Sequence, residues 1–149
     1  MRKLAILPVP YYLLKFIRQK GNYQSGTLFC DSKIVLPEVK DFHQSSRYFA
    51  KRADKHNIRV FMYDPTKRRL YQLYVLYREL FKQAMHEAMS RDHAMGLKAK
   101  DSLVEFLDLY GITEYDYKID RGLKSWQRYK LRHDNSKVHG RQPIGLLQA

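Results

Sequence analysis

Cysteine is all but missing from this 149-residue sequence, where Cys30 stands alone. A single thiol excludes an internal disulfide framework and any cysteine-based zinc finger, and it suits a reducing compartment. Long apolar runs are missing too. Nothing approaches the roughly 20 residues of a membrane span. The charged start Met1-Arg-Lys leads into only Leu4–Leu7 before Pro8, too short a stretch for a signal peptide. The expected location is the cytoplasm, with no membrane partner.

Catalytic signatures are equally scarce. His86-Glu87 begins like the zinc-protease pattern, but Ser90 stands where the second histidine belongs. The six histidines keep no metal-binding spacing. There is no phosphate-cradling glycine loop and no Gly-x-Ser-x-Gly elbow. Asp101, Glu105 and Asp108 fall on one helix face and resemble a Mg²⁺ set on paper, yet such a row reads first as solvated surface. The chain is small for a DNA enzyme with a tyrosine nucleophile. No catalytic residue, metal or cofactor is expected.

Acidic residues are in short supply: 15 carboxylates face 28 Lys and Arg, leaving a net charge of +13. Residues 1–60 carry 12 basic and 4 acidic side chains, 61–111 carry 8 and 7, and 112–149 carry 8 and 4. The excess therefore sits at both ends around a balanced centre. A pI near 9.8 points to a polyanion as partner.

What is present describes a folded protein. Hydrophobic residues make up 44% and aromatic residues 13%, including 12 tyrosines, which combine apolar area with a polar tip. Lys3–Val9 reads as a strand and Tyr11–Gln19 as a helix closed by Gly21. Gly26–Cys30 and Lys33–Leu36 flank Asp31-Ser32, which suggests a hairpin. Ser46–Lys55 reads as a short helix. In Asn57–Tyr63, alternation puts Ile58, Val60 and Met62 on one face and Arg59, Phe61 and Tyr63 on the other. Thr66–Ala94 carries a broad apolar stripe of Leu70, Leu73, Tyr74, Tyr77, Leu80, Phe81, Ala84, Met85 and Ala88, and is the expected spine. Lys67, Arg68 and Arg69 at its start oppose the helix dipole, an arrangement that a bound phosphate would relieve.

The functional signal lies between Lys98 and His133. Leu103, Phe106, Leu107 and Tyr110 recur at helical spacing, and Gly111 is the expected stop. Thr113 and Asp116 look like a capping pair for a second helix from about Glu114 to His133. The turn between the helices would be about three residues, which fits a helix-turn-helix. At 100° per residue, Tyr115, Ile119, Leu123, Trp126 and Tyr129 share an arc. Lys118, Arg121, Ser125, Arg128 and Arg132 share the opposite one, with Lys124 at its flank. Gly122 lies on the apolar side, where a missing side chain permits close approach of another helix. Apart from Glu114 at its start, the basic arc holds no carboxylate, whereas a merely soluble helix mixes signs. The acidic first turn argues for contacts from the middle and C-terminal half of the helix, or for contacts mainly to phosphates.

Residues 100–130, with Phe-Leu-Asp-Leu-Tyr-Gly-Ile-Thr-Glu-Tyr-Asp-Tyr and a Trp-Gln-Arg-Tyr ending, resemble the C-terminal segment of small helix-turn-helix-like proteins of bacterial mobile elements and prophages. The resemblance covers about a fifth of the chain. It implies a bacterial or phage setting and a DNA-linked role, and no catalytic residues transfer.

The expected fold is α+β: a small N-terminal β-containing part, a long central helix and a C-terminal helix-turn-helix-like pair. Residues 1–133 form one domain, mixed over 1–64 and helical over 65–133, followed by a flexible tail at 134–149 that holds Asn, Ser, Gly and Pro. The expected function is binding of duplex DNA, in transcription regulation or DNA maintenance. Lys67, Arg68, Arg69 and the N-terminal cations would anchor phosphates. Lys118, Arg121, Lys124, Ser125, Arg128 and Arg132 would line a groove. A homodimer fits this reading. RNA is the alternative partner, with Tyr11, Tyr12 and Phe16 stacking on bases; another is an acidic protein, in a phage or host assembly factor.

Overall fold

The computed structural model describes residues 1–39, 44–51 and 55–148, with side chains as far as Asp134. Alternation builds its sheet. In β4 (Lys55–Tyr63), Ile58, Val60 and Met62 are buried while Arg59 and Tyr63 are exposed. Beside it, β1 (Arg2–Pro10) runs antiparallel and pairs Leu7 with Ile58 and Leu4 with Phe61. β1 is an edge strand, a place that tolerates Pro8 and Pro10, which have no N–H to give to a ladder. On the other side of β4 lies β3 (Thr27–Phe29), parallel to it, and then β2 (Tyr23–Gln24), antiparallel to β3. The sheet order is β1-β4-β3-β2.

The hairpin expected around Asp31-Ser32 occurs earlier, between β2 and β3. Ser25 and Gly26 take φ of 51° and 80°, the two positive values a type I′ turn needs, and glycine meets that need without steric cost. Lys33–Leu36 forms no strand. Asp31 Oδ1 instead accepts the Lys33 N–H at 3.0 Å and closes a local turn.

Helices cover the face that carries Leu7, Val9, Val60 and Met62. α1 (Tyr11–Lys20) buries Tyr12, Leu13, Phe16 and Ile17 there. α2 (Gln44–Ala50) starts before and ends before the expected Ser46–Lys55; Lys55 belongs to β4, and Arg52 lies outside the described residues. The Tyr48 hydroxyl donates to the Pro8 carbonyl, and its ring stacks on Tyr74 at 4.2 Å. α3 (Lys67–Ala94) is the spine expected from the stripe, and Thr66 caps it by accepting the Arg69 N–H at 3.2 Å. Leu70, Leu73, Tyr74, Phe81 and Met85 are buried, whereas Leu80 is 41% exposed.

Phe81 is the hub of the core. Its ring meets Tyr12 at 4.9 Å, Phe16 at 5.4 Å, Phe106 at 5.7 Å and Tyr117 at 5.2 Å. One side chain thus ties the N-terminal part to α4 (Ala99–Leu109) and to the loop before α5 (Ile119–Gln148). The molecule is α+β, with the sheet at its N-terminal end and the helices following. The tail expected at 134–149 falls on residues whose side chains lie outside the described set after Asp134, while the α5 backbone is helical to Gln148. Among the described residues, no helix is long and apolar enough to cross a membrane.

Candidate nucleic-acid interface

Gly111 ends α4 as its sequence implies. It takes φ of 66°, its N–H reaches the Asp108 carbonyl at 3.0 Å, and the Ile112 N–H reaches Leu107 O at 2.9 Å. These are the two bonds of a Schellman closure, and Ile112, 2% exposed, supplies its apolar contact. The next helix then starts later than expected. Residues 110–118 connect α4 to α5, well beyond a three-residue turn, and α5 begins at Ile119 rather than near Glu114.

The Thr113–Asp116 pair explains the delay. Asp116 Oδ2 accepts from the Thr113 N–H and from its hydroxyl, both at 3.0 Å, so the pair closes a turn in the loop. Lys15 of α1 completes it, placing Nζ 2.6 Å from Asp116 Oδ2 and 2.7 Å from the Gly111 carbonyl. Burial pushes the Asp116 carboxyl up, but the bonds from Lys15 and Thr113 and the Lys15 charge outweigh it and hold the carboxyl below its usual range. Tyr117 plugs into the core at 3% exposure, while Tyr115 stands fully in solvent. Tyr115 therefore lies in the loop and not on the apolar arc of the helix.

From Ile119 onward the helical wheel holds. Trp126 is buried; Ile119, Leu123 and Tyr129 are half-buried. Gly122 meets α4: a Cβ there would stand 2.5 Å from Leu103 Cδ2. Lys118, Arg121, Lys124, Arg128 and Arg132 are exposed along one side, and none of them makes a salt bridge among the described residues. From Lys118 to Arg132 the ridge is roughly 21 Å long at 1.5 Å per residue.

Ser125 leaves that set. Its hydroxyl lies 2.8 Å from His86 Nε2 on α3, so it joins two helices instead of facing a groove. His86 is 7% exposed and stacks on Tyr129 at 4.6 Å. Burial, then the charges of Arg132 and Lys82, hold the imidazole below its usual pKa against the pull of Glu79.

The second expected cluster sits at the start of α3. Lys67 and Arg68 are exposed, but Arg69 is half-buried and donates through Nε to the Tyr63 carbonyl at 3.2 Å, tying α3 to the end of β4. Lys67 stands 19 residues before His86 on α3, roughly 28 Å along the helix axis from where α5 crosses. Of the N-terminal cations in α1, Lys15 is consumed by Asp116, while Arg18 and Lys20 stay exposed. Tyr12 and Phe16, both 2% exposed, are core residues and have no face to offer a base. Burial pushes the Tyr12 hydroxyl up to about 12, against the lowering influence of Arg121. Asp101, Glu105 and Asp108 are exposed on α4, and no group of three His, Cys, Asp or Glu among the described residues is arranged to hold a metal ion.

The expected list misses a groove of about 650 Å³ where α1, β4 and the 110–118 loop meet. Its walls include Tyr11, His56, Tyr115 and Tyr117, with Lys118 and Arg121 at the α5 side. The Arg121 guanidinium lies 5.3 Å from the Tyr12 ring centre and 4.9 Å from that of Tyr117. The ridge and the groove therefore share two cations. No protein-family model, curated protein or solved structure matches the chain.

Proposed function

We propose that the chain binds duplex DNA through the α5 ridge of Lys118, Arg121, Lys124, Arg128 and Arg132. The observation that carries this reading is five exposed cations along four helical turns, none of them paired with a carboxylate among the described residues. Left to solvent alone, such a ridge repels itself; against a phosphate backbone each cation displaces a condensed counterion. The contacts are mainly to phosphates, since the first turn of α5 carries Asp120 and the connection to α4 is too long for a tight helix-turn-helix. The resemblance of residues 100–130 to mobile-element and prophage proteins supports a role in transcription regulation or DNA maintenance in a bacterial cytoplasm. A homodimer belongs to the same reading, because two ridges would engage successive turns of one duplex. No catalytic step is assigned.

Fluorescence anisotropy with a random 30-base-pair duplex over a salt series tests this. Four to five phosphate contacts give a slope of log affinity on log salt near about −4. The double variant Lys124→Glu/Arg128→Glu should bind at least about tenfold more weakly, with a slope flatter by about 2 and an unchanged melting temperature. Unaltered binding by that variant would reject the assigned face.

A further inference from the structure

We infer that the groove between α1, β4 and the 110–118 loop holds one unstacked nucleotide of a DNA strand, next to the duplex on the ridge. This inference rests on the DNA-binding reading and adds to it a preference for DNA with an unpaired segment. The groove, at about 650 Å³, lies inside the range of about 300–1,000 Å³ typical of small-ligand sites. Its chemistry is that of a base-and-phosphate site. Tyr115 presents a fully exposed ring at the rim. The Tyr11 ring is held in place by His56 at 4.4 Å and by the Lys15 ammonium at 4.8 Å. The open Tyr115 face can stack on any base, while Tyr11, with the Lys15 ammonium over its ring, forms the wall behind it.

The charge of the groove suits the phosphate of the same nucleotide. Lys118 and Arg121 line one side. Asp116 is the carboxylate in the wall, and it is already matched by Lys15 at 2.6 Å, so the wall is left with net positive charge. The Arg121 guanidinium rests against the Tyr12 and Tyr117 rings, which limits the freedom it loses when it receives an anion. The same two cations begin the α5 ridge, so a strand leaving a duplex end there would enter the groove without crossing uncharged surface.

The test compares a blunt 30-base-pair duplex with the same duplex bearing a five-nucleotide single-stranded overhang, using 2-aminopurine as the first unpaired base. The overhang substrate should bind about tenfold more tightly, the size of effect one base–aromatic stack gives, and the 2-aminopurine fluorescence should be quenched. Tyr115→Ala, at a residue without packing to lose, should remove both the preference and the quench and leave blunt-duplex affinity unchanged. Equal affinity for the two substrates with no quench would overturn the groove assignment while DNA binding stands. Failure to bind either substrate at low salt would overturn both readings. A preference and quench that survive in Tyr115→Ala would place the base elsewhere and overturn the assignment.

Discussion

His86 is a histidine kept neutral by where it sits. Its ring is sandwiched into the α3–α5 contact, with Ser125 at 2.8 Å and the Tyr129 ring at 4.6 Å. Burial and the charges of Arg132 and Lys82 lower its pKa in the fold. The unfolded chain, with an ordinary value of about 6.5, therefore takes up the proton first. The stability contributed by the neutral ring is full above about pH 7 and falls as pH drops through about 6.5 toward the folded value, by up to about 1.4 kcal/mol per pH unit. His86→Gln retains an amide to meet Ser125 and has nothing to titrate. Thermal melting at pH 7.5 and 5.5 should show a larger loss on acidification for the parent than for this variant. Equal losses would mean that the pH response belongs to other groups. Asp116 does not blur the comparison, because its carboxyl is depressed and titrates well below this window.

At the scale of the element, α5 depends on one absent side chain. Gly122 costs the helix roughly 1 kcal/mol relative to Ala, yet a Cβ there would lie 2.5 Å and 2.9 Å from the two methyls of Leu103 and 3.2 Å from the Tyr117 ring. Leu103 is completely buried and has no room to withdraw. Overpacking of this kind costs about 1–3 kcal/mol, which exceeds the gain in helix propensity. Gly122→Ala should therefore lower the melting temperature by about 2–4 °C or more, in a thermal denaturation scan beside the parent. A rise would mean that α4 can shift away from α5.

This contact was legible in the sequence, because Gly122 falls on the apolar arc of a helix otherwise filled with large residues. So were β4, from its alternation, and α3, from its stripe. The features that were not legible depend on distant partners. The Thr113–Asp116 pair makes similar local bonds in a helix cap and in a loop turn; Lys15, 101 residues earlier, favours the turn. The wheel puts Ser125 on the basic arc, and only the fold shows that His86 of α3 packs against it there. The groove draws its walls from three separate stretches of chain, around Tyr11, His56 and Tyr115, and no single window contains its chemistry. The hairpin is a different case: Asp31-Ser32 lies between two β-rich runs and resembles a turn, but Ser25-Gly26 carries the glycine that the positive φ requires.

At the scale of the whole molecule, a small polar clasp over the aromatic core fastens the N-terminal part to the C-terminal helices. Lys15 reaches Asp116 and the Gly111 carbonyl, and Gln19 Nε2 reaches the Leu109 carbonyl at 3.1 Å, so α1 holds both the end of α4 and the connection after it. The Lys15 and Asp116 side chains are 18% and 13% exposed, so solvent screens the pair only in part. Asp116→Asn removes a charged acceptor and leaves Lys15 half-buried without its counter-charge, a loss of about 1–3 kcal/mol. In a double-mutant cycle, Lys15→Met and Asp116→Asn should each destabilise the protein in urea, and the pair together should cost less than the sum of the two. Strict additivity would mean that the clasp contributes nothing as a pair.

The clasp also fixes an order of events in the making of the protein. Translation proceeds at about 5–20 residues per second, so Asp116 follows Lys15 by roughly 5–20 s. Over nearly all of that interval Leu13, Phe16 and Ile17 of α1 have already been made, while Tyr117, which completes the aromatic cluster around Phe81, has not. The apolar face of α1 is thus made long before the loop that closes over it.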